Sequence, residues 1–129
     1  MSQNENNPFK ILSADAPQAV TETDKSLPLQ ERIKKLIGSS DVFLFMKGNP
    51  AMPQCGFSAN VVGMLNHLQV PFKTFDILSD MDIRQGVKDF SNWPTYPQLY
   101  VRGELIGGND IVMEMFENGE LESVLKGEA

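Results

Sequence analysis

A single cysteine and a single histidine stand among the 129 residues, and no run of cations is longer than the pair Lys34-Lys35. One thiol cannot close an internal disulfide, so a disulfide scaffold is excluded. A Cys-only or multi-His metal centre built from one chain is excluded with it. Any sulfur chemistry must therefore be intermolecular. Lys and Arg number 11 against 17 Asp and Glu, a formal net charge of −6. That balance, without clustered cations to displace counterions from a phosphate backbone, argues against nucleic acid as a partner. No apolar run approaches the ~18 residues needed to span a bilayer. Met1 to Pro8 are polar rather than basic and then hydrophobic, and Glu5, Asp15, Glu22 and Asp24 oppose a transit peptide. The expectation is a cytoplasmic protein with no membrane partner and, at this length, one domain.

Residues 1–27 are polar, and their few apolar members (Phe9, Ile11, Leu12, Val20) keep no period, which predicts a mobile tail. The domain is expected over 28–129. Leu29, Ile33, Leu36 and Ile37 fall on one helical stripe, with Pro28 suited to its start and Gly38 to its stop. Val42 to Met46 is a short apolar run, as in a strand buried on both faces. A second helix is predicted over about 56–68 with Phe57, Val61, Leu65 and Leu68 inward. A strand over 72–75 follows, then a helix capped by Ser79 or Asp80 that turns Ile83, Val87 and Phe90 inward. Gln98 to Val101, an Arg102-Gly103 turn and Glu104 to Ile106 read as a hairpin. A last helix carries Ile111, Val112, Met115 and Phe116, and after Gly119 a short segment spans about 121–125. The pattern predicts an α/β domain of thioredoxin-like outline, a four-stranded mixed sheet flanked by helices.

The one thiol, Cys55, falls immediately before the second helix, where unpaired amides and the positive helix end favour thiolate over thiol. In Cys55-Gly56-Phe57-Ser58, serine stands where a Cys-x-x-Cys motif has its resolving thiol, so release of a disulfide at Cys55 needs an outside thiol. Ser58 either donates to the sulfur or simply occupies the first turn. His67 is no partner for Cys55, because twelve helical residues separate them by ~18 Å. It is expected to meet the terminal carbonyls of its helix.

Lys47, just after the central strand, and Arg84, beyond the second strand, are placed to converge on the thiol and to suit a ligand with carboxylates. If the Tyr96-Pro97 bond is cis, the Tyr96 backbone is left to pair with an extended peptide-like ligand. Gly107-Gly108-Asn109-Asp110 offers amides to a carboxylate and the Asp110 side chain to an ammonium. Capping of that helix by Asn109 or Asp110 is as compatible with the local sequence.

Phe45-Met46-Lys47-Gly48, Pro53-Gln54-Cys55-Gly56-Phe57-Ser58, Asp82-Ile83-Arg84, Trp93-Pro94-Thr95-Tyr96-Pro97-Gln98 and Gly107-Gly108-Asn109-Asp110-Ile111 occur in this order. Together they resemble the monothiol glutaredoxins of the CGFS type, in their single-domain bacterial form, over about residues 28–125. The resemblance implies a thioredoxin-like fold, a cis Pro97, and glutathione held by Lys47, Arg84, the Tyr96 backbone and the Asn109–Asp110 turn. It also implies a [2Fe–2S] cluster bound by Cys55 and shared between two subunits, with a BolA-like protein and apo iron–sulfur acceptors as partners. Its function would be cluster transfer, biogenesis or iron sensing. Asn109 departs from the many members that carry a second cysteine there. The rival expectation is a glutathione-dependent monothiol oxidoreductase, Cys55 attacking a protein–glutathione mixed disulfide. The 48–54 loop is expected to limit the approach of the second glutathione that such turnover needs.

Overall fold

A computed structural model describes residues 17–127. The central strand β2 (Val42–Met46) is buried along its whole length, as its unbroken apolar run requires. Its alternation sends Phe43 and Phe45 to one side and Val42, Leu44 and Met46 to the other. On the first side lie α1 (Leu29–Ile37) and α3 (Met81–Ser91), which bring Ile33, Leu36, Ile37, Ile83 and Val87 into one buried cluster. On the second lie α2 (Gly56–His67), α4 (Asn109–Glu117) and α5 (Glu120–Leu125), contributing Val61, Leu65, Val112, Leu121 and Leu125. Edge-on ring contacts, Phe43 to Phe45 at 5.0 Å and Phe45 to Tyr100 at 5.7 Å, lock the first layer. Gly86 allows α1 to approach α3, since a Cβ there would stand 2.8 Å from Leu29 Cδ2.

The main sheet runs β1 (Gln18–Val20), β5 (Lys73–Asp76), β2, β6 (Gln98–Val101), β7 (Glu104–Gly107). The β1–β5–β2 pairs are parallel, and β6 and β7 add antiparallel, giving the mixed sheet expected of a thioredoxin-like fold. Two corrections follow. The sheet has five strands, not four, and the fifth, β1, lies inside the segment read as a mobile tail, with Gln18 facing Lys73 and Val20 facing Phe75. Three residues, two exposed and one half-buried, carry no period, and what orders them is backbone pairing to a strand some 50 residues away, with Gln18 N–H on Phe72 O at 3.0 Å. Residues 1–16 of the predicted tail lie outside the described residues.

The predicted helix and strand ends otherwise agree with the structure to about a residue. Inward placement of two apolar side chains does not: Phe57 is 58 % and Phe90 37 % exposed, and Ile111 is likewise 37 % exposed. Phe57 and Ile111 sit in the first turns of α2 and α4, which open onto the cleft described below rather than onto the core.

Thr74, at the centre of β5 opposite Leu44, is fully buried and its Oγ1 has no hydrogen-bond partner. An unsatisfied buried hydroxyl destabilises, and valine has its shape without the polar atom. Thr74→Val should raise stability by about 1 kcal/mol, seen as a higher urea midpoint at unchanged slope. A lowered midpoint would show the hydroxyl to be satisfied.

Candidate functional site: a cationic cleft around Cys55

Beyond Met46 the chain leaves the sheet through Gly48, whose φ of +86° suits glycine, and whose N–H donates to Asp76 Oδ1 at 2.9 Å. A Cβ at Gly48 would run into the Met52 carbonyl oxygen. The segment expected as a plain loop is a small hairpin, β3 (Gly48–Asn49) with β4 (Met52–Pro53). Asn49 Oδ1 closes its tip by accepting the N–H groups of Ala51 and Met52, both at 3.0 Å. Gln54 N–H donates to Lys47 O at 2.8 Å, so the hairpin returns to its origin and delivers Cys55 beside Lys47.

Cys55 is the N-cap of α2, extended at φ −157° and ψ 138° and partly exposed. Burial raises its thiol pKa. Against this act the N–H groups of Ser58 and Phe57, the Lys47 ammonium and the Ser58 hydroxyl, and the balance lies below the ordinary thiol value. Ser58 is fully buried, and its Oγ accepts Lys47 N–H at 3.1 Å, tying the strand end to the helix start. Its place is thus more than first-turn filler.

An open cleft of about 580 Å³ brings together all six residues singled out in the sequence: Lys47, Cys55, Arg84, Tyr96, Asn109 and Asp110. The Tyr96-Pro97 bond is cis, as expected. The Tyr96 ring is buried, its hydroxyl donates to Arg84 O at 2.6 Å, and burial pushes its pKa up. Its backbone N–H and C=O have no backbone partner among the described residues, so this residue offers main chain, not ring, to the cleft. At the start of α4 the N-cap is Gly108, and no side chain caps the helix. The capping alternative for Asn109 and Asp110 is therefore corrected, and the first-turn amides remain available.

Lys88, Trp93 and Phe57 also line the cleft, and none was assigned to it from the sequence. Lys88 was within reach, since it follows Arg84 by one helical turn and shares its face. Trp93 had only its place before the cis proline to mark it. Among the described residues the ion pairs join Arg32 to Asp80, Lys34 to Glu31 and Lys126 to Glu122, and none involves Lys47, Arg84 or Lys88. Three cations with no ion-pair partner among the described residues, against one lining carboxylate, Asp110, make a local positive site in a chain of net charge −6. His67 ends α2, and its ring packs edge-on against Phe116 at 5.6 Å, outside the cleft. Among the described residues there is no group of three or more His, Cys, Asp or Glu that could hold a metal ion. Nor is any helix long and apolar enough to cross a membrane.

A thioredoxin-like sheet with one thiol at a helix start, sharing a cationic cleft with the Tyr96 that precedes a cis proline, defines a monothiol site. The glutaredoxin family model matches residues 42–106. A monothiol glutaredoxin described as ycf64-like, from Synechocystis sp., is 56 % identical over 95 residues, which cover 74 % of this chain and 89 % of that one. Glutaredoxin 3 of Danio rerio is 57 % identical over 104 residues, 81 % of this chain, and the match spans only 32 % of that longer protein. The solution structure of reduced poplar apo GrxS14 superimposes with a TM-score of 0.69 at 45 % identity, covering 77 % of this chain and 91 % of that one. The chain belongs to the glutaredoxin family, and with Ser58 in place of a second thiol it is of the monothiol type.

Proposed function

We propose that the protein carries a [2Fe–2S] cluster as cargo between two copies of itself, ligated by Cys55 of each copy and by the thiols of two bound glutathiones. Its role would lie in cluster transfer, biogenesis or iron sensing. The observation that carries this reading is one thiolate-favouring cysteine opening onto a cleft with free helix-start amides and with cations that have no ion-pair partner among the described residues. A [2Fe–2S] centre takes four thiolates. One chain supplies one, and the absence of any other metal-binding group among the described residues leaves the remainder to a second copy and to small thiols.

Glutathione suits the cleft group by group. Lys47 and Arg84 attract one carboxylate. The Tyr96 backbone can pair with the cysteinyl peptide group as an added strand would. The amides at the start of α4 can receive the second carboxylate, with Asp110 beside the ammonium. Half the ligands of such a centre would be exchangeable, which favours handing the cluster on to apo iron–sulfur acceptors. A BolA-like protein is the other proposed partner, and the compartment proposed is the cytoplasm.

Anaerobic reconstitution with iron, sulfide and glutathione, followed by visible absorption and size-exclusion mass, tests the reading. The expected product is a coloured dimer that does not form without glutathione. A colourless monomer that turns over glutathionylated protein at the rate of a dithiol glutaredoxin would replace the carrier with an oxidoreductase.

A further inference from the structure

Gln98 is fully buried and does not line the cleft, yet its side chain is bonded to two residues that do. It opens β6 opposite Phe45, and alternation puts it on the side of Tyr100, in the apolar first layer. Its Nε2 donates to the main-chain carbonyls of Trp93 at 3.1 Å and Thr95 at 3.2 Å, and its Oε1 accepts the Tyr100 hydroxyl at 3.0 Å. Only the NH2 end of an amide can meet two carbonyls, so the partners fix which way the group faces. Burying an amide costs free energy that an apolar side chain of the same size would not incur, and what the amide adds in return is its hold on those two carbonyls.

That hold has a direction. The Thr95 carbonyl and the Tyr96 N–H belong to one peptide unit, which is trans, the cis bond being the next one along. In a trans unit the C=O and the N–H point opposite ways. Drawing Thr95 O toward the first layer therefore turns the Tyr96 N–H away from it, on a residue that lines the cleft and whose main chain has no backbone partner among the described residues. A hydrogen bond on the carbonyl also polarises the unit and strengthens its N–H as a donor. The bond to Trp93 O steadies the far side of Pro94, where Trp93 N–H is tied in turn to Ser91 Oγ at 3.1 Å, at the end of α3.

We infer that Gln98 is a positioning residue: its side-chain amide sets the Thr95–Tyr96 peptide unit so that the Tyr96 N–H is already presented to an acceptor on the ligand's main chain. The inference rests on the glutathione reading above, in which that acceptor is the cysteinyl carbonyl. A donor fixed before the ligand arrives spares ordering at the moment of binding, so Gln98 adds affinity without touching the ligand.

The test is calorimetric titration with S-methylglutathione, whose blocked sulfur keeps disulfide and cluster chemistry out, and with the same tripeptide methylated at its cysteinyl nitrogen, which cannot lie against the Tyr96 main chain as an added strand. Gln98→Met, similar in length but without donors, should bind S-methylglutathione about tenfold more weakly than the parent and the N-methylated tripeptide about as well as the parent does. Equal losses for both ligands would show a merely structural role, and parental affinity for both would show none; either result overturns the inference alone. If Gln98→Met does not fold, hydrogen exchange in the parent decides. Gln98 Nε2 protons that exchange slowly in the ligand-free protein support the inference, and protection that arises only with the ligand overturns it. Failure of the parent to bind S-methylglutathione overturns the glutathione reading and the inference together.

Discussion

Cys55→Ser is expected to fold as well as the parent and, after anaerobic reconstitution with glutathione, to show only baseline visible absorption and a monomer mass. The two halves of this result have separate physical causes. Position 55 is an N-cap whose sulfur makes no capping hydrogen bond, although the nearby N–H groups of Phe57 and Ser58, the second and third helical residues, favour its thiolate form. These are the donors a serine Oγ accepts at an N-cap, so the substitution keeps or adds up to about 1 kcal/mol of helix stability. A hydroxyl is a far poorer iron ligand than a thiolate, however, and its loss from both copies removes two of four proposed ligands at once. Far-UV circular dichroism and a melting curve check the first half, and absorption with size-exclusion mass the second. Colour retained at parental intensity would place the ligand elsewhere and end the proposal. A variant that fails to fold would contradict the capping argument.

What was legible in the sequence follows the same division between local and distant causes. β2 could be read because five consecutive apolar residues have few alternatives to a doubly covered strand. Asp80 could be read as a cap because its carboxylate acts within three residues, accepting the N–H groups of Asp82 and Ile83. Five of the six cleft residues were legible as a set because each falls at a strand's carboxyl end or in the first turn of a helix, and the topology gathers those ends; Tyr96 was marked instead by the Tyr96-Pro97 bond that leads into β6. β1 was not legible, since its order comes from β5 and not from its own side chains. Phe57 obeyed the helical period yet points outward, because the first turn of α2 has the cleft beside it instead of the sheet. The period reports which residues share a face, not what lies opposite. Arg32 is the most instructive miss. An arginine between apolar stripe positions of α1 reads as solvated charge, yet its side chain is 8 % exposed.

Removing the partner of that arginine should give the largest loss of stability of any substitution outside the core. Arg32 Nη2 reaches Asp80 Oδ2 at 2.8 Å, while Nε and Nη2 both donate to Thr23 Oγ1, at 3.0 and 2.7 Å. One guanidinium thus joins α1, the first turn of α3 and the segment that leads from β1. Asp80→Ala removes the α3 cap and leaves a buried cation uncompensated, a loss of about 3 kcal/mol and roughly 10 °C in melting temperature. Asp80→Asn keeps a good cap and isolates the charge, so its loss should be smaller, about 1 to 2 kcal/mol. The pH dependence separates the two contributions. Burial raises the Asp80 carboxyl, but the N–H of Ile83, the Arg32 guanidinium and the N–H of Asp82 outweigh it and hold the pKa below its ordinary 3.8. A carboxyl depressed in the folded state stabilises fully above its unfolded pKa, and the contribution fades as pH falls through the folded value. The parent should therefore exceed Asp80→Asn by a constant margin from about pH 5 to 8, with the two converging below about pH 4. Asp80→Ala should remain the less stable of the two variants at every pH, because the cap it lacks does not depend on charge alone. Urea midpoints of the three proteins between these limits decide the matter. A parent-to-Asn margin that is absent at neutral pH, or undiminished in acid, would mean that the Arg32 pair is not what fastens the segment after β1 to the helices beneath it.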